Sequence, residues 1–83
     1  MIKLNVKAYY NLTERRSKVE RYIEDYDVVI KELRDEAKKL KKGSMERQEL
    51  MKRANDLKND STYRELQIEL RTLNYCINTV FYN

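Results

Sequence analysis

Along Leu12, Arg16, Val19, Ile23, Tyr26, Ile30, Leu33, Ala37 and Leu40 the steps alternate between four and three, and only Arg16 is not apolar. Residues spaced this way fall on one stripe of an α-helix. Most of the intervening positions are charged, among them Glu20, Arg21, Glu24, Asp25, Asp27, Lys31, Glu32, Asp35 and Glu36. The pattern predicts one long amphipathic helix over about residues 12–42, roughly 45 Å in length.

Such a stripe needs cover, and the chain supplies it by turning back. Lys38, Lys39, Lys41 and Lys42 suit the negative end of a helix dipole. Gly43 can adopt the left-handed conformation that closes a helix. Ser44 can cap the next helix, with Glu46 in its first turn. A short helix–helix connection makes its neighbours antiparallel.

The returning arm begins with Met45, Leu50, Ala54 and Leu57. Its stripe resumes as Leu66, Leu70, Leu73, Ile77 and Val80, two residues out of frame. The slip falls on Asn59-Asp60-Ser61-Thr62, a run of helix-capping types, with Thr62 and Glu65 at capping-box spacing. We read two helices, about 45–58 and about 62–81, with one continuous kinked helix as the alternative. Folding about Gly43 and Ser44 sets Leu33 against Ala54, Val19 near Ile68, Tyr26 opposite Ser61, and Tyr9 and Tyr10 near Ile77, Val80 and Phe81.

The fold class is therefore all-α: an antiparallel helical hairpin, its second arm broken or kinked near residues 59–62. All 83 residues form a single domain. One Gly and no Pro leave few breakers for strands and turns. Residues 1–11 are ambiguous. Ile2, Leu4, Val6, Ala8 and Tyr10 alternate as in a strand, whereas Ile2, Val6, Tyr9 and Thr13 suit a helix. We expect a helical or extended segment packed on the hairpin, the alternative being a strand paired with a second chain.

Catalytic chemistry is poorly provided for. Histidine is absent, which removes the commonest general base and metal ligand. The single cysteine, Cys76, has no histidine to activate it and reads as a small buried hydrophobe. Glu20, Glu24 and Asp27 share a helix face and read as solvated charges. We expect no enzyme, no cofactor, no metal site and no small-molecule substrate. The chain carries no apolar run of membrane-spanning length and no signal-peptide pattern, and its one cysteine fits a reducing compartment. The expectation is a cytoplasmic protein without a membrane partner.

Two features exceed what a two-armed hairpin needs. Ile68, Tyr75 and Tyr82, seven apart, form a second apolar line flanking the last stripe, and Tyr22 and Val29 form a shorter one on the first helix. Lines of this kind imply another layer, either a second copy forming a dimeric four-helix bundle or a foreign partner. Seven tyrosines with no tryptophan is the other surplus. Tyr22, Tyr26 and Tyr63 group mid-hairpin, and Tyr9, Tyr10, Tyr75 and Tyr82 group at the open end. Tyrosine is favoured at protein interfaces.

The function expected is a non-enzymatic protein-binding module, a regulator or stoichiometric inhibitor of a larger protein. It would bind through Tyr9, Tyr10, Arg16, Ile68, Tyr75 and Tyr82. Arg16, a charge on the stripe, is expected to pair with an acid, cap the bundle or point at the partner. The alternative is a basic helical-bundle protein that meets nucleic acid through Lys38, Lys39, Lys41, Lys42 and Arg47, in keeping with a net charge of +4. In its size and its Lys, Asn, Ile and Tyr usage the chain resembles small accessory proteins of phages and mobile elements of AT-rich bacteria. That resemblance rests on no motif. It implies a compact inhibitor acting in the cytoplasm of a bacterial host.

Overall fold

The computed structural model describes residues 6–81, the side chains of Val80 and Phe81 excepted. It has three helices, α1 (Val6–Lys39), α2 (Met45–Lys58) and α3 (Ser61–Phe81), and no strand among the described residues. The long α1 packs against both α2 and α3. As residue numbers rise along α1 they fall along its partners: Arg15 meets Glu69, Asp27 meets Tyr63, and Ile30 clusters with Ala54.

α1 departs from the expected span at both ends. It begins at Val6, so residues 6–11 are its first turns rather than a separate packed segment. Tyr9 is half-buried and extends the stripe one step before Leu12, and no Gly or Pro interrupts the helix there. The expectations for residues 1–5 lie outside the described residues. At the other end α1 stops at Lys39 rather than near 42. Lys38 and Lys39 thus face the dipole from the last turn, while Lys41 and Lys42 belong to the connection. Gly43 has φ +89° there, a conformation that costs a side-chain-bearing residue about 1–2 kcal/mol.

Ser44 caps α2 as its sequence suggests, its Oγ accepting from the Arg47 backbone N–H at 3.2 Å. The second arm is broken rather than kinked. Asn59, at φ −98° and ψ 6°, ends α2, and its N–H bonds back to Asn55 O at 3.0 Å. The next cap differs from the expected Thr62–Glu65 box. Asp60 Oδ1 accepts from Thr62 N at 2.7 Å, and Asp60 O accepts from Arg64 N at 3.1 Å. Asp60 is the better cap because its carboxylate sits at the positive end of α3.

The restart rotates the arm so that Tyr63, with Leu66, Leu70, Leu73 and Ile77, turns toward α1. Val19, Ile30, Ala37, Ala54, Tyr63, Leu73 and Ile77 are the buried hydrophobics among the described residues. Around Ile30, Ala54 and Tyr63 pack Ile23, Tyr26, Leu33 and Leu57. Leu33 meets Ala54's cluster as expected but is itself only half-buried, as is Leu70. Cys76, expected to be buried, is also half-buried. The molecule measures 62 × 17 × 16 Å, one helix pair in cross-section.

Candidate partner-binding surfaces

The position of Ile68 and Tyr75 follows from which side of α3 is buried. Tyr63, Leu73 and Ile77 are buried, and α3 packs mainly on α1. At about 100° per residue, Ile68 and Tyr75 fall on the opposite side. They are 54% and 69% exposed. The second apolar line therefore does not flank the stripe; it forms the back of the helix. Exposed Arg64, Glu65, Arg71 and Thr72 border it. Tyr82 lies outside the described residues.

The first turns of α1 carry Tyr9 and Tyr10, whose rings meet edge-on at 6.0 Å and 67°. Tyr9 is half-buried and Tyr10 is exposed. Arg16 is held within the chain. Its Nη1 donates to Asn74 Oδ1 at 3.4 Å, and its Nε lies 3.8 Å from Glu20. It is one-third exposed and ties α1 to α3.

Its neighbour Arg15 makes the stronger bond, which the sequence reading missed. Nε and Nη2 donate to the two Glu69 carboxylate oxygens at 2.7 and 2.9 Å. This fork-to-fork geometry fixes direction as well as distance. The two hydrogen bonds hold Glu69 below the usual carboxylate range. The signal was present, since turning the chain about residues 43 and 44 puts Arg15 within one helical turn of Glu69.

At the arm break the mid-chain tyrosines separate. Tyr26 and Tyr63 stack at 5.0 Å with planes 27° apart, inside the range of favourable aromatic pairs. The Tyr63 hydroxyl donates to Asp27 Oδ1, and that bond, with burial, raises the Tyr63 pKa. Asp27 thus does more than face solvent with Glu20 and Glu24. Tyr22 stays out of the stack and walls an open groove of ≈ 380 Å³ with Asp25, Tyr26, Thr62 and Leu66. A second hollow of ≈ 200 Å³ continues it along Asp25, Tyr26, Val29 and Leu57. This groove comes from the arm break, and only its Tyr22–Val29 rim was visible in the sequence.

The basic residues gather at the turn. Lys38, Lys39, Lys41 and Lys42 are exposed and Arg47 is half-buried. Lys39 is paired with Glu36 at 3.1 Å. Arg47 joins Gly43, Gln48 and Met51 around a shallow hollow beside the turn. Among the described residues no cluster of acidic or thiol side chains is suited to a metal ion, and no helix is long and apolar enough to cross a membrane.

No protein-family model, no curated protein and no solved structure matches this chain.

Proposed function

We propose that this chain is a non-enzymatic helical binding module, acting as a regulator or stoichiometric inhibitor of a larger protein. The observation that carries this reading is the exposed Ile68–Tyr75 line on the side of α3 turned away from α1. Folding the chain gives those side chains nothing to cover, so their apolar area remains for a partner. An isoleucine and a tyrosine flanked by Arg64, Glu65 and Arg71 suit a partner surface with an apolar pocket and a rim of mixed charge. Buried aromatics beside arginines dominate binding energy at such interfaces. Tyr10, exposed near the start of α1, extends the proposed surface at the open end, and Tyr82 belongs to it by sequence.

The test is affinity capture from a native lysate, with and without nuclease, using the wild-type chain and Ile68→Ala, Tyr75→Ala and Tyr82→Ala variants. The expected result is a protein captured in both conditions by the wild type and lost with Tyr75→Ala, at unchanged helicity. Capture retained by all three variants rejects the surface.

The cluster of exposed lysines at the turn supports a second reading, nucleic-acid binding through Lys38, Lys39, Lys41, Lys42 and Arg47. Under that reading capture disappears with nuclease, and affinity falls steeply with salt. For the assembly, we favour two copies joined in a four-helix bundle in the cytoplasm of the producing or host cell. Such a bundle gives a chain only one helix pair thick its missing layer.

A further inference from the structure

We infer that the groove at the arm break takes a single arginine side chain presented by a partner protein. This rests on the reading of the chain as a protein-binding module and names the chemistry of one contact; it does not depend on the Ile68–Tyr75 surface.

Three observations carry it. The first is the lining. Tyr22, Asp25, Tyr26 and Val29 follow the spacing i, i+3, i+4 and i+7, which gathers them on one face of α1. Leu57 lines the groove from α2 and Leu66 from α3. Asp25 belongs to both hollows and is the one charged side chain lining either. A largely apolar groove with a single carboxylate matches an apolar stem with a cationic head. The larger hollow, at ≈ 380 Å³, lies near the lower end for small-ligand sites and suits one side chain.

The second is that Asp25 is uncommitted. It is exposed, with no hydrogen bond or ion pair among the described residues. Arg15 and Lys18, on the same side of α1, are engaged by Glu69 and Glu14. Arg21 lies one turn before Asp25 without bonding to it, and a base four residues ahead of an acid is the weaker order on a helix. The wider field favours a cation too. Between residues 20 and 36 seven acidic side chains outnumber three basic ones, in a chain of net charge +4.

The third is the rings beside the carboxylate. Tyr26 stacks on Tyr63, whose hydroxyl donates to Asp27, so the Tyr26 ring is fixed before a ligand arrives. Tyr22 is 50% exposed, which leaves its ring open to a ligand. A cation over a tyrosine face is attracted by the ring quadrupole. The guanidinium group is flat, so it can lie along a ring while its N–H fork meets both Asp25 oxygens. A lysine ammonium offers no such plane, and the groove therefore favours arginine.

Titration of N-acetyl-arginine methylamide into the isotope-labelled full chain, followed by NMR, tests the inference. Saturable shifts are expected at residues 22–29 and 62–66, with a dissociation constant on the order of a millimolar for one side chain. The neutral citrulline analogue is expected to bind about tenfold more weakly, and the lysine analogue about threefold more weakly. Asp25→Asn and Tyr22→Leu, both at exposed positions, are each expected to weaken arginine binding about fivefold at wild-type helicity. Ile68→Ala and Tyr75→Ala are expected to bind it as wild type does, so failure of the α3 surface and failure of the groove are told apart. The absence of saturable shifts overturns the inference, as does equal binding of the citrulline analogue or tighter binding of the lysine analogue. So does arginine binding that both groove variants retain, or that the α3 variants lose, and so do shifts that centre on Glu32, Asp35 and Glu36 instead of Tyr22 and Tyr26.

Discussion

Tyr26 and Tyr63 lie stacked, with ring centroids 5.0 Å apart, at the level where the second arm passes from one helix to the next. Tyr63 is the third residue of α3. The stack thus fixes where α3 begins relative to the middle of α1. Tyr63→Ala removes a buried ring and is expected to cost about 3–5 kcal/mol. Tyr63→Phe keeps the ring and loses only the hydroxyl bond to Asp27, at about 1 kcal/mol. Urea unfolding of both variants checks the ranking, and equal losses would show that the stack contributes little.

Two ionisable contacts predict opposite arms of a pH profile. Glu69 is held below the usual range by Arg15. Its contribution is fully present above about pH 4.3 and is lost as pH falls through its lower folded value. Tyr63 is shifted upward, chiefly by its bond to Asp27. Its contribution is present below about pH 10 and is lost as pH rises through its higher folded value. Thermal unfolding against pH should therefore lose part of its acid limb in Glu69→Gln and part of its alkaline limb in Tyr63→Phe. Unchanged limbs in either variant would remove that pair from the account.

Core and surface positions on α3 should separate cleanly. Ile77 is fully buried, so Ile77→Ala is expected to cost about 2–5 kcal/mol. Ile68→Ala, on the far side of the same helix, is expected to stay within about 0.5 kcal/mol of the wild-type monomer. A chemical denaturation midpoint for each variant decides it. A large loss at Ile68 would place that side chain in the core.

The cap of α3 can be assigned by substitution. Asp60→Ala is expected to cost about 0.5–2 kcal/mol, because its carboxylate accepts the Thr62 N–H. Thr62→Ala, if the reassignment holds, changes stability little. The reverse order would restore the Thr62–Glu65 box.

Gly43→Ala isolates a backbone effect. A Cβ at Gly43 would meet no atom within 4 Å, yet φ is +89°. The expected loss is about 1–2 kcal/mol from conformation alone, and Gly43→Asn, which tolerates that region better, should recover part of it. Calorimetric unfolding of the three chains measures both steps.

How legible these features were follows from how local each one is. The end of α2 and the restart at residue 61 could be read from Asn59 and Asp60, because capping is a property of a few adjacent residues. The early start of α1 was obscured by the opening residues, whose apolar positions fit a period of two as well as one of 3.6. Counting from Leu12 also left out Tyr9. Tyr63 was grouped with the other mid-chain tyrosines, although it is the first buried residue after the frame slip. The Ile68–Tyr75 line was visible as a spacing, and its side of α3 was legible too, because at about 100° per residue the stripe Leu66, Leu70, Leu73 and Ile77 sets it on the far side of the helix rather than beside the stripe. The groove beside Tyr22 has no local signature. It depends on how two helix ends and a stacked ring pair fill one stretch of α1.

The turn at Gly43 also has a kinetic consequence. Contacts near it join residues close in sequence, whereas Asp27 and Tyr63 are 36 positions apart and Arg15 and Glu69 are 54 apart. Closing a loop becomes costlier with length, by about 0.6 kcal/mol per doubling. Assembly should therefore zip from the turn toward the open end. The Arg15–Glu69 clasp then closes late, and it acts on the rate of unfolding far more than on the rate of folding.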